Sequence, residues 1–281
     1  MPELSIQQAL QQARNDLAAH SESPGLDGEI LLALACDTTR SYLRTWPERT
    51  LTPAQQSHFQ QLLARRAKGE PIAYITGTRD FWDMELQVSP DTLIPRPETE
   101  RLVELALERI PVDAHWDIAD LGTGSGAIAL ALARERPGCR VIATDISDAA
   151  LQVARDNAER LGVGNVEFRH GPWLAPLADE RLPLIVSNPP YVHPDDPHLT
   201  RGDLRFEPPA ALGSAPDGLN DIREIARQAR AHLTPGGWLM LEHGYDQGEP
   251  VRALLSALGF QAVHTENDLA GNPRVSAGKW E

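Results

Sequence analysis

The tetrapeptide Asn188-Pro189-Pro190-Tyr191 combines residue types that could hold a flat, conjugated NH₂ group. It directly follows the apolar run 184–187, which we predict as a strand, and its two prolines end that strand and stiffen the loop. The Asn188 side-chain oxygen and the Pro189 backbone oxygen can accept the two N–H hydrogens, and the Tyr191 ring can stack on the conjugated plane. Such contacts would favour a more pyramidal nitrogen and aim it at a methyl carbon.

Chemistry of this kind needs no charged base at the start, because it depends on orientation and on electrostatic stabilisation. The proton would leave after the transfer, when the nitrogen has become positive and acidic. The candidate catalytic residues are then Asn188, Pro189 and Tyr191. These residues do not identify the substrate, since adenine N6, cytosine N4 and a glutamine side-chain amide all present a conjugated NH₂ group. A rigid proline turn capped by its asparagine is the alternative without chemistry.

A second candidate site lies earlier in the chain, where a predicted strand runs into a glycine-rich turn and then a helix. The turn is Gly122-Thr123-Gly124-Ser125-Gly126. Its glycines let the backbone turn tightly and approach a ligand closely. Asp145 ends the next predicted strand, where a carboxylate can accept hydrogen bonds from both ribose hydroxyls. The pattern therefore predicts a ligand that carries adenosine.

Two ligands compete for the glycine turn. The spacing Gly122-x-Gly124-x-x-Ala127 satisfies a dinucleotide pattern, which would place a pyrophosphate at the turn. S-adenosylmethionine (AdoMet) would instead bring a sulfonium cation and an amino-acid tail, and Asp120 is placed to accept from the ammonium of that tail. A structural strand–helix turn without a ligand is the remaining alternative.

Both motifs belong to a region in which predicted strands and helices alternate from Trp116 onward. Alternation of this kind predicts a parallel sheet with helices on both faces, and such sheets bind ligands at the carboxyl ends of their strands. The predicted strands are 116–121, 139–144, 165–169, 182–187, 237–242, 259–264 and 274–280, and the predicted helices are 125–135, 148–161, 219–233 and 249–258.

The N-terminal part of the chain has a helical pattern. Ser5 and Thr52 each open a capping box that a glutamine completes three residues later. We predict a helix after each of these caps and a short helix over 29–36 between them. After Gly77 the pattern indicates a β-hairpin or an extended linker. The predicted organisation is a helical domain (1–76), a β-hairpin linker (77–94) and a catalytic domain (95–281).

Composition narrows the classes of function. The 281 residues carry 26 basic and 40 acidic side chains, and the formal charge of −14 argues against broad binding to nucleic-acid phosphates. The two cysteines, Cys36 and Cys139, have neither metal-type spacing nor a disulfide framework, which fits a reducing compartment. No apolar run approaches the roughly 20 residues of a membrane span, and the N-terminus has no signal-peptide pattern. We expect a cytoplasmic protein without a metal site or a direct nucleic-acid partner, and a monomer.

The sequence resembles the PrmC/HemK family of release factor glutamine N5-methyltransferases over nearly its whole length. Besides the glycine turn, Asp145 and the tetrapeptide, the resemblance is carried by the segments 69–77 (GEPIAYITG), 94–100 (IPRPETE), 207–212 and 268–274. It implies an α/β fold, in which a Rossmann-like, seven-stranded AdoMet-dependent methyltransferase domain follows a small helical bundle. It also implies that the chain methylates the glutamine of the Gly-Gly-Gln motif in class 1 peptide-chain release factors, its protein partners.

The resemblance also assigns residues to the site. The implied cofactor contacts are Gly122, Thr123, Gly124, Ser125, Gly126, Asp145, Trp173 and Asn188. The implied substrate contacts are Asn188, Pro189, Pro190 and Tyr191. One position departs from the family pattern, because Pro172 precedes Trp173 where relatives often have an acidic residue, so recognition of adenine N6 must fall to other groups. Core packing is the alternative role of Trp173.

Other functions stay open on the sequence alone. A sister family that methylates a glutamine of a large-subunit ribosomal protein also resembles the chain, but it lacks the Arg-Pro-Glu-Thr-Glu pattern at 96–100. A DNA adenine or cytosine methyltransferase could share the tetrapeptide, but residues 94–281 carry 28 acidic and 18 basic side chains, against the basic face that duplex binding needs. A nucleotide-dependent oxidoreductase would leave the tetrapeptide unexplained. A catalytically idle binder of release factors would bind through its helical domain without transferring a methyl group.

Overall fold

The computed structural model describes residues 4–193, 195–197, 202–214 and 217–281. The chain divides into two compact units. One contains the chain up to Thr78 together with the segment that ends at Phe206, and the other contains the remainder. Within the described residues, no helix is long and apolar enough to cross a membrane. The same residues hold no group of three or more His, Cys, Asp or Glu side chains that could bind a metal ion.

The N-terminal unit consists of helices packed around a core of aliphatic side chains and Phe59. They are α1 (Ile6–Leu17), α2 (Pro24–Ala35), α3 (Arg40–Thr45), α4 (Pro53–Ala67) and α5 (Ile72–Thr76). The capping boxes at Ser5 and Thr52 are both present with their reciprocal hydrogen bonds. The helix predicted over 29–36 begins earlier, at Pro24, because proline has the φ that the first helical position needs. Neither α3 nor α5 was predicted, since so short a helix shows too little periodicity.

The segment after the helices forms the hairpin, one of the two alternatives that the sequence left open. β1 (Thr78–Phe81) and β2 (Met84–Gln87) pair as a two-stranded sheet. The turn contains Trp82, which has a positive φ of 57°. The buried apolar side chains of the hairpin, Phe81, Met84 and Leu86, belong to a core cluster of the second unit.

The second unit is built on a seven-stranded sheet with the order β5-β4-β3-β6-β7-β9-β8. Its strands are β3 (Asp117–Leu121), β4 (Arg140–Asp145), β5 (Val166–His170), β6 (Leu182–Ser187), β7 (Leu233–Glu242), β8 (Gln261–Asn267) and β9 (Pro273–Lys279). Neighbours from β5 to β7 are parallel, as the alternation predicted. β9 is antiparallel to β7 and β8, because the short turn 268–272 cannot make the parallel crossover, which needs about a dozen residues.

Helices cover both faces of this sheet, which explains why its strands are almost continuous apolar runs. They are α6 (Glu100–Arg109), α7 (Ala127–Glu135), α8 (Asp148–Leu161), the short α9 (Pro209–Leu212), α10 (Asn220–His232) and α11 (Gly248–Ala257). Successive strand residues join opposite core clusters. Ile118 packs in the cluster that includes α6 and α7, whereas Ala119 packs in the cluster that includes α10 and α11.

The order of the strands creates a crevice at one end of the sheet. β3 lies between β4 and β6, so the chain leaves β3 toward one side and later returns on the other. Leu121 and Ser187, the last residues of β3 and β6, are paired in register. Gly122 and Asn188, which follow these strands, therefore start from neighbouring positions at the edge where sheets of this kind bind ligands.

Candidate active site

The glycine turn leaves β3 and enters α7 with backbone angles that favour glycine. Gly122, Gly124 and Gly126 have φ values of 71°, 56° and 88°. A Cβ atom at Gly126 would lie 3.0 Å from Leu130 Cδ1, and one at Gly122 would lie 3.3 Å from Cζ3 of Trp173. The turn thus needs glycine both for its backbone conformation and for close packing.

The carboxyl group of Asp120 is buried beneath the turn and holds it in place. Its Oδ2 accepts hydrogen bonds from Thr123 Oγ1 at 2.6 Å and from the Ala129 backbone N–H at 3.1 Å. Its Oδ1 is buried and has no hydrogen-bond partner among the described residues. Burial raises the pKa of Asp120 to about 7, and the charge of Asp145 adds to the rise that the two hydrogen bonds oppose. The Oδ1 oxygen could accept a further donor, but Asp120 does not line the cavity, so its contact with a ligand ammonium group stays a prediction.

Asp145 ends β4, and backbone N–H groups fix both of its carboxylate oxygens. Oδ2 accepts from Gly124 and Oδ1 from Ser147, each at 2.9 Å. These bonds orient the carboxylate and leave each oxygen a lone pair for a further donor. Two adjacent ribose hydroxyls are such a pair of donors, so the geometry permits the predicted ribose contact.

A cavity of about 470 Å³ opens beside the turn, a size that suits a small-molecule ligand. The sequence-predicted site residues in its wall are Gly122, Gly124, Asp145, Trp173, Asn188 and Pro190. Those outside the wall are Asp120, Thr123, Ser125, Gly126, Pro189 and Tyr191. The sequence did not predict the rest of the wall, which consists of 90–93, 146–147, Ala150, Pro172, Pro208, Ala210, Ala211 and Asp221.

Two of the predicted residues outside the wall support it from behind. Thr123 and Ser125 are buried, and the Thr123 hydroxyl is used by Asp120. The Ser125 backbone oxygen accepts from Asn157 Nδ2 at 2.9 Å. These two residues therefore shape the turn, and their predicted cofactor contacts stay predictions.

Trp173 combines the two roles that the sequence offered as alternatives. It lines the cavity and also packs against the core cluster on one face of the sheet. Its φ is positive, 50°, and its backbone oxygen accepts from Thr144 Oγ1 at 2.9 Å. These contacts place the ring over Gly122, so core packing fixes one wall of the cavity.

The tetrapeptide begins where β6 ends. Ser187 Oγ donates to the Leu121 backbone oxygen at 2.7 Å, which joins the ends of β6 and β3. Asn188 lines the cavity, and its Nδ2 donates to Thr99 Oγ1 at 3.1 Å. Since the amide nitrogen is held by Thr99, the side-chain oxygen Oδ1 lies on the opposite edge of the amide.

Tyr191 is held at both its hydroxyl and its backbone. The hydroxyl donates to Glu242 Oε1 at 3.3 Å, and the backbone oxygen accepts from Gln247 Nε2 at 3.0 Å. Burial and the neighbouring carboxyl of Glu242 raise the pKa of the Tyr191 phenol well above its ordinary value. The phenol is therefore neutral at physiological pH and acts as a hydrogen-bond donor.

The sequence prediction missed Glu242 and Thr99. Glu242 is only 1% exposed at the end of β7, and burial raises the pKa of its carboxyl to about 7 against the opposing effects of Thr99, Arg274 and Tyr191. A single acid at the end of the otherwise apolar run 238–241 was the available signal. Thr99 gave none, because its partner lies 89 residues away in the chain.

Glu207 joins two segments of the cavity wall. Its side chain is fully buried, accepts from the Ile94 backbone N–H at 3.0 Å and forms an ion pair with Arg96. The wall residues 90–93, Pro208, Ala210 and Ala211 lie close to these anchors in the chain. The family-like segments that begin at 94 and at 207 are thus one structural feature.

Fold and site together define a class of protein. One cavity is lined by residues that follow or end three strands of the large sheet. They are the glycine turn after β3, Asp145 at the end of β4 and the tetrapeptide after β6, of which Asn188 and Pro190 line the cavity. The model of a methyltransferase small domain matches residues 100–201, and that of a PrmC N-terminal domain matches residues 8–77. The second unit is a Rossmann-like methyltransferase.

Similar proteins identify the family within that class. A release factor glutamine methyltransferase of Vibrio cholerae is 50% identical over 99% of this chain and 98% of its own, and one of Xylella fastidiosa is 52% identical over 93% and 95%. This chain belongs to the release factor glutamine methyltransferase family. A T. thermophilus 16S rRNA N2 G1207 methyltransferase, solved in complex with AdoMet and guanosine, is 21% identical with a TM-score of 0.53 and covers 73% of this chain and 50% of that chain, which shows a common fold.

Proposed function

We propose that this protein transfers a methyl group from AdoMet to the side-chain amide nitrogen (N5) of the glutamine in the Gly-Gly-Gln motif of class 1 peptide-chain release factors. The observation that carries the proposal is the Asn188 amide, which lies in the cavity wall with its nitrogen engaged by Thr99. The opposite edge of that amide offers an oxygen acceptor, which a neutral NH₂ substrate needs. Membership of the family supports glutamine as the substrate.

The residues around the glycine turn fit AdoMet. Asp145 would accept from the ribose hydroxyls, and the unpartnered Oδ1 of Asp120 would accept from the ammonium group. When bound, AdoMet supplies a methyl carbon made electrophilic by the attached sulfonium. An acid at the position of Asp145 also suits the ribose of a dinucleotide, so family membership and the tetrapeptide, not these carboxyl groups, favour AdoMet over that alternative.

The tetrapeptide would hold and activate the glutamine amide. Asn188 Oδ1 and the Pro189 backbone oxygen accept the two N–H hydrogens, and Tyr191 packs on the amide plane. These contacts weaken the conjugation that makes an amide nitrogen a poor nucleophile, and they fix its direction of attack. After the transfer the nitrogen carries a positive charge and releases one proton, so no side chain needs to act as a base at the start.

The test combines the protein, labelled AdoMet and an unmodified release factor, and maps the label by peptide mass spectrometry. We expect the label on the glutamine of the Gly-Gly-Gln motif alone. A release factor with that glutamine replaced by alanine, and the Asn188→Ala variant of the enzyme, are the matched controls. Label on a large-subunit ribosomal protein or on DNA instead, or tight binding of the release factor with no label, would overturn the proposal in favour of one of its alternatives.

The helical domain, residues 1–76, would recognise the release factor, while residues 95–281 carry out the transfer and the 77–94 hairpin links them. An exposed aromatic cluster in that domain supports this assignment: Trp46 is 43% exposed, and the Arg49 guanidinium lies 5.3 Å from its ring centre and 5.6 Å from that of Tyr42. Aromatic and arginine side chains dominate binding energy in protein interfaces. We expect Trp46→Ala to raise the KM for the release factor about tenfold, with AdoMet affinity unchanged.

Leu34→Ala is the matched control, because Leu34 is comparably exposed in the same domain but lies outside that cluster. Equal KM values for both variants and the wild type would argue against this docking role. We further infer that the protein acts as a cytoplasmic monomer, which the two free thiols Cys36 and Cys139 suit. Light scattering at micromolar concentration should give the mass of one chain, and the mass of two would contradict a monomer.

A further inference from the structure

The backbone of the tetrapeptide offers few hydrogen-bond donors, because Pro189 and Pro190 have no N–H. A loop of this kind must be held through its carbonyl oxygens, its side chains or the residues beside it. The Tyr191 backbone oxygen accepts from Gln247 Nε2 at 3.0 Å, although Gln247 follows 56 positions later in the chain, directly before α11. The proposed reaction gives Gln247 no role.

The side-chain amide of Gln247 is engaged at both of its polar atoms. Its Oε1 accepts from the Gly244 backbone N–H at 2.9 Å, while Nε2 donates to Tyr191. If the amide were turned round, its NH₂ group would meet the Gly244 N–H and its oxygen would meet the Tyr191 oxygen. The Gly244 N–H therefore fixes the direction in which Gln247 donates.

Gly218 leaves space for this contact. Its φ is positive, 76°, and a Cβ atom at this position would lie 2.5 Å from the Tyr191 backbone oxygen and 2.7 Å from Gln247 Nε2. Both distances are shorter than van der Waals contact, so any side chain at 218 would push these atoms away. A glycine here thus suits the backbone conformation and keeps the hydrogen bond intact.

The peptide unit between Tyr191 and Val192 is held at both of its polar atoms. Gln247 binds its oxygen, and its N–H, which belongs to Val192, donates to the Leu212 backbone oxygen at 2.9 Å. With this peptide plane fixed, rotation about the Cα–C bond of Tyr191 is blocked. The ring then leaves the backbone in one direction, and the hydroxyl bond to Glu242 holds its far end.

We propose that Gln247 is a positioning residue for the methyl transfer, because its amide fixes the peptide unit after Tyr191 and so sets where the Tyr191 ring packs on the substrate amide. The inference rests on the proposed transfer to a glutamine amide. Gln247 lies outside the cavity wall, so it acts through Tyr191. Loss of its hydrogen bond should therefore lower kcat and leave the affinity for AdoMet unchanged.

Two variants of similar length separate the donor from the volume of this side chain. Gln247→Met removes both hydrogen bonds, and we expect kcat on an unmodified release factor to fall by up to about tenfold. Gln247→Glu keeps an acceptor for Gly244 but turns a second oxygen toward the Tyr191 oxygen. This repulsion displaces the carbonyl, so kcat should fall about tenfold to a hundredfold. Calorimetry should give the wild-type AdoMet affinity for both variants.

Acid should restore the missing donor in Gln247→Glu. A protonated carboxyl group has one O–H, which can donate to Tyr191, and one oxygen, which can accept from Gly244. The carbonyl oxygens that face it favour this protonated form. The ratio of its kcat to that of the wild type should therefore rise severalfold as the pH falls from about 8 to about 6. The ratio for Gln247→Met should stay constant.

The ratio removes the titration of neighbouring groups, because they are the same in the variants and in the wild type. The titratable or charged residues on the elements around this contact are Asp217 and Asp221 at α10, Glu242, His243, Tyr245 and Asp246 after β7, Glu249 and Arg252 on α11, and Arg274 on β9.

Gly218→Ala displaces the same carbonyl from the other side. Gly162→Ala is its matched control, since Gly162 also has a positive φ, 67°, but a Cβ there meets nothing within 4 Å. We expect Gly218→Ala to lower kcat about tenfold and Gly162→Ala to keep it. Full kcat in a folded Gly218→Ala variant would show that the place of this carbonyl does not matter, which contradicts the inference.

The carbonyl carbon signal of Tyr191 in NMR spectra reports the hydrogen bond without turnover. It should move in Gln247→Met and return toward its wild-type position when Gln247→Glu is acidified. If the wild type labels the release factor while both Gln247 variants match its kcat, or while Gln247→Glu shows no recovery in acid, the positioning role is wrong and the proposed function stands. If the wild type places no label on glutamine, the proposed function fails and this inference fails with it.

Discussion

The glycine turn and the tetrapeptide both follow parallel strands of one sheet, but different parts of the chain hold them in place. The turn is held locally: its glycines have positive φ, and the carboxyl groups of Asp120 and Asp145 accept from groups of the turn and the following helix. The tetrapeptide is held by side chains from distant elements, through Thr99 and Glu242.

This difference separates binding from turnover. A backbone-held turn presents N–H groups and carboxylates that suit a cofactor, and it changes when a Cβ is added. A side-chain-held loop changes when a hydrogen-bond partner is removed, even if its backbone stays in place. Substitutions at the turn should therefore affect cofactor affinity or folding, and substitutions at the tetrapeptide should affect kcat.

The strongest test of that separation is Asn188→Ala. It removes the proposed acceptor for the substrate amide, so we expect kcat to fall about a hundredfold to a thousandfold. Calorimetric AdoMet affinity should change far less, although Asn188 lines the cavity. A parallel loss of affinity and turnover would remove the distinction between the two sites.

The next largest effect is expected for Gly126→Ala, with Gly124→Ala as its matched control. Both positions have positive φ, but a Cβ at Gly126 meets Leu130 Cδ1 at 3.0 Å, whereas one at Gly124 meets nothing within 4 Å. We expect the free energy of unfolding to fall by about 2–4 kcal/mol at Gly126 and by about 1–2 kcal/mol at Gly124. Urea denaturation measures both, and equal losses would mean that backbone angle alone explains the glycines.

A smaller effect on cofactor binding is expected for Asp145→Ala, which also removes the acceptor of the Gly124 and Ser147 backbone N–H groups. Loss of hydrogen bonds to a charged acceptor costs about 1.5–3 kcal/mol, so AdoMet should bind at least about tenfold more weakly. Asp145→Asn keeps one oxygen acceptor, so its AdoMet affinity should lie between those of Asp145→Ala and the wild type. Calorimetric titration decides, and unchanged affinity in both variants would remove the ribose role.

The smallest effect should come from Tyr191→Phe, which keeps the ring and removes only the hydroxyl bonded to Glu242. Loss of one such bond costs about 1 kcal/mol, which corresponds to a fewfold lower kcat. Tyr191→Ala also removes the ring and should lower kcat much further, with AdoMet affinity largely kept. Steady-state kinetics at saturating AdoMet compare the two variants. Equal losses of kcat would mean that the hydroxyl group, and not the ring, is needed for turnover.

Much of the fold followed from local patterns. The helices after Ser5 and Thr52 begin where their capping boxes predict, because the reciprocal hydrogen bonds involve residues only three apart. The strand predicted over 259–264 is observed over Gln261–Asn267. It starts later because Gly259 and Phe260 donate to Ser256 and Leu255, which closes the end of α11 as a Schellman motif.

The site was harder to predict from the sequence, because the residues that hold it in place are distant from it in the chain. The glycine turn and Asp145 were found through their spacing relative to strands, and the cavity includes both. Thr99, Glu207 and Glu242 were not assigned roles, since each acts through a partner more than 50 residues away. Periodicity and capping rules carry no information about such pairs.

The buried Glu207 has a consequence for how the protein is made. Its bonds join Ile94 to a residue 113 positions later, so the cofactor cavity lacks part of its wall until most of the chain has left the ribosome. A nascent chain that ends before Glu207 can form the glycine turn yet should not retain AdoMet. Capture of the methyl donor thus reports that synthesis has passed Glu207 and the wall residues that follow it.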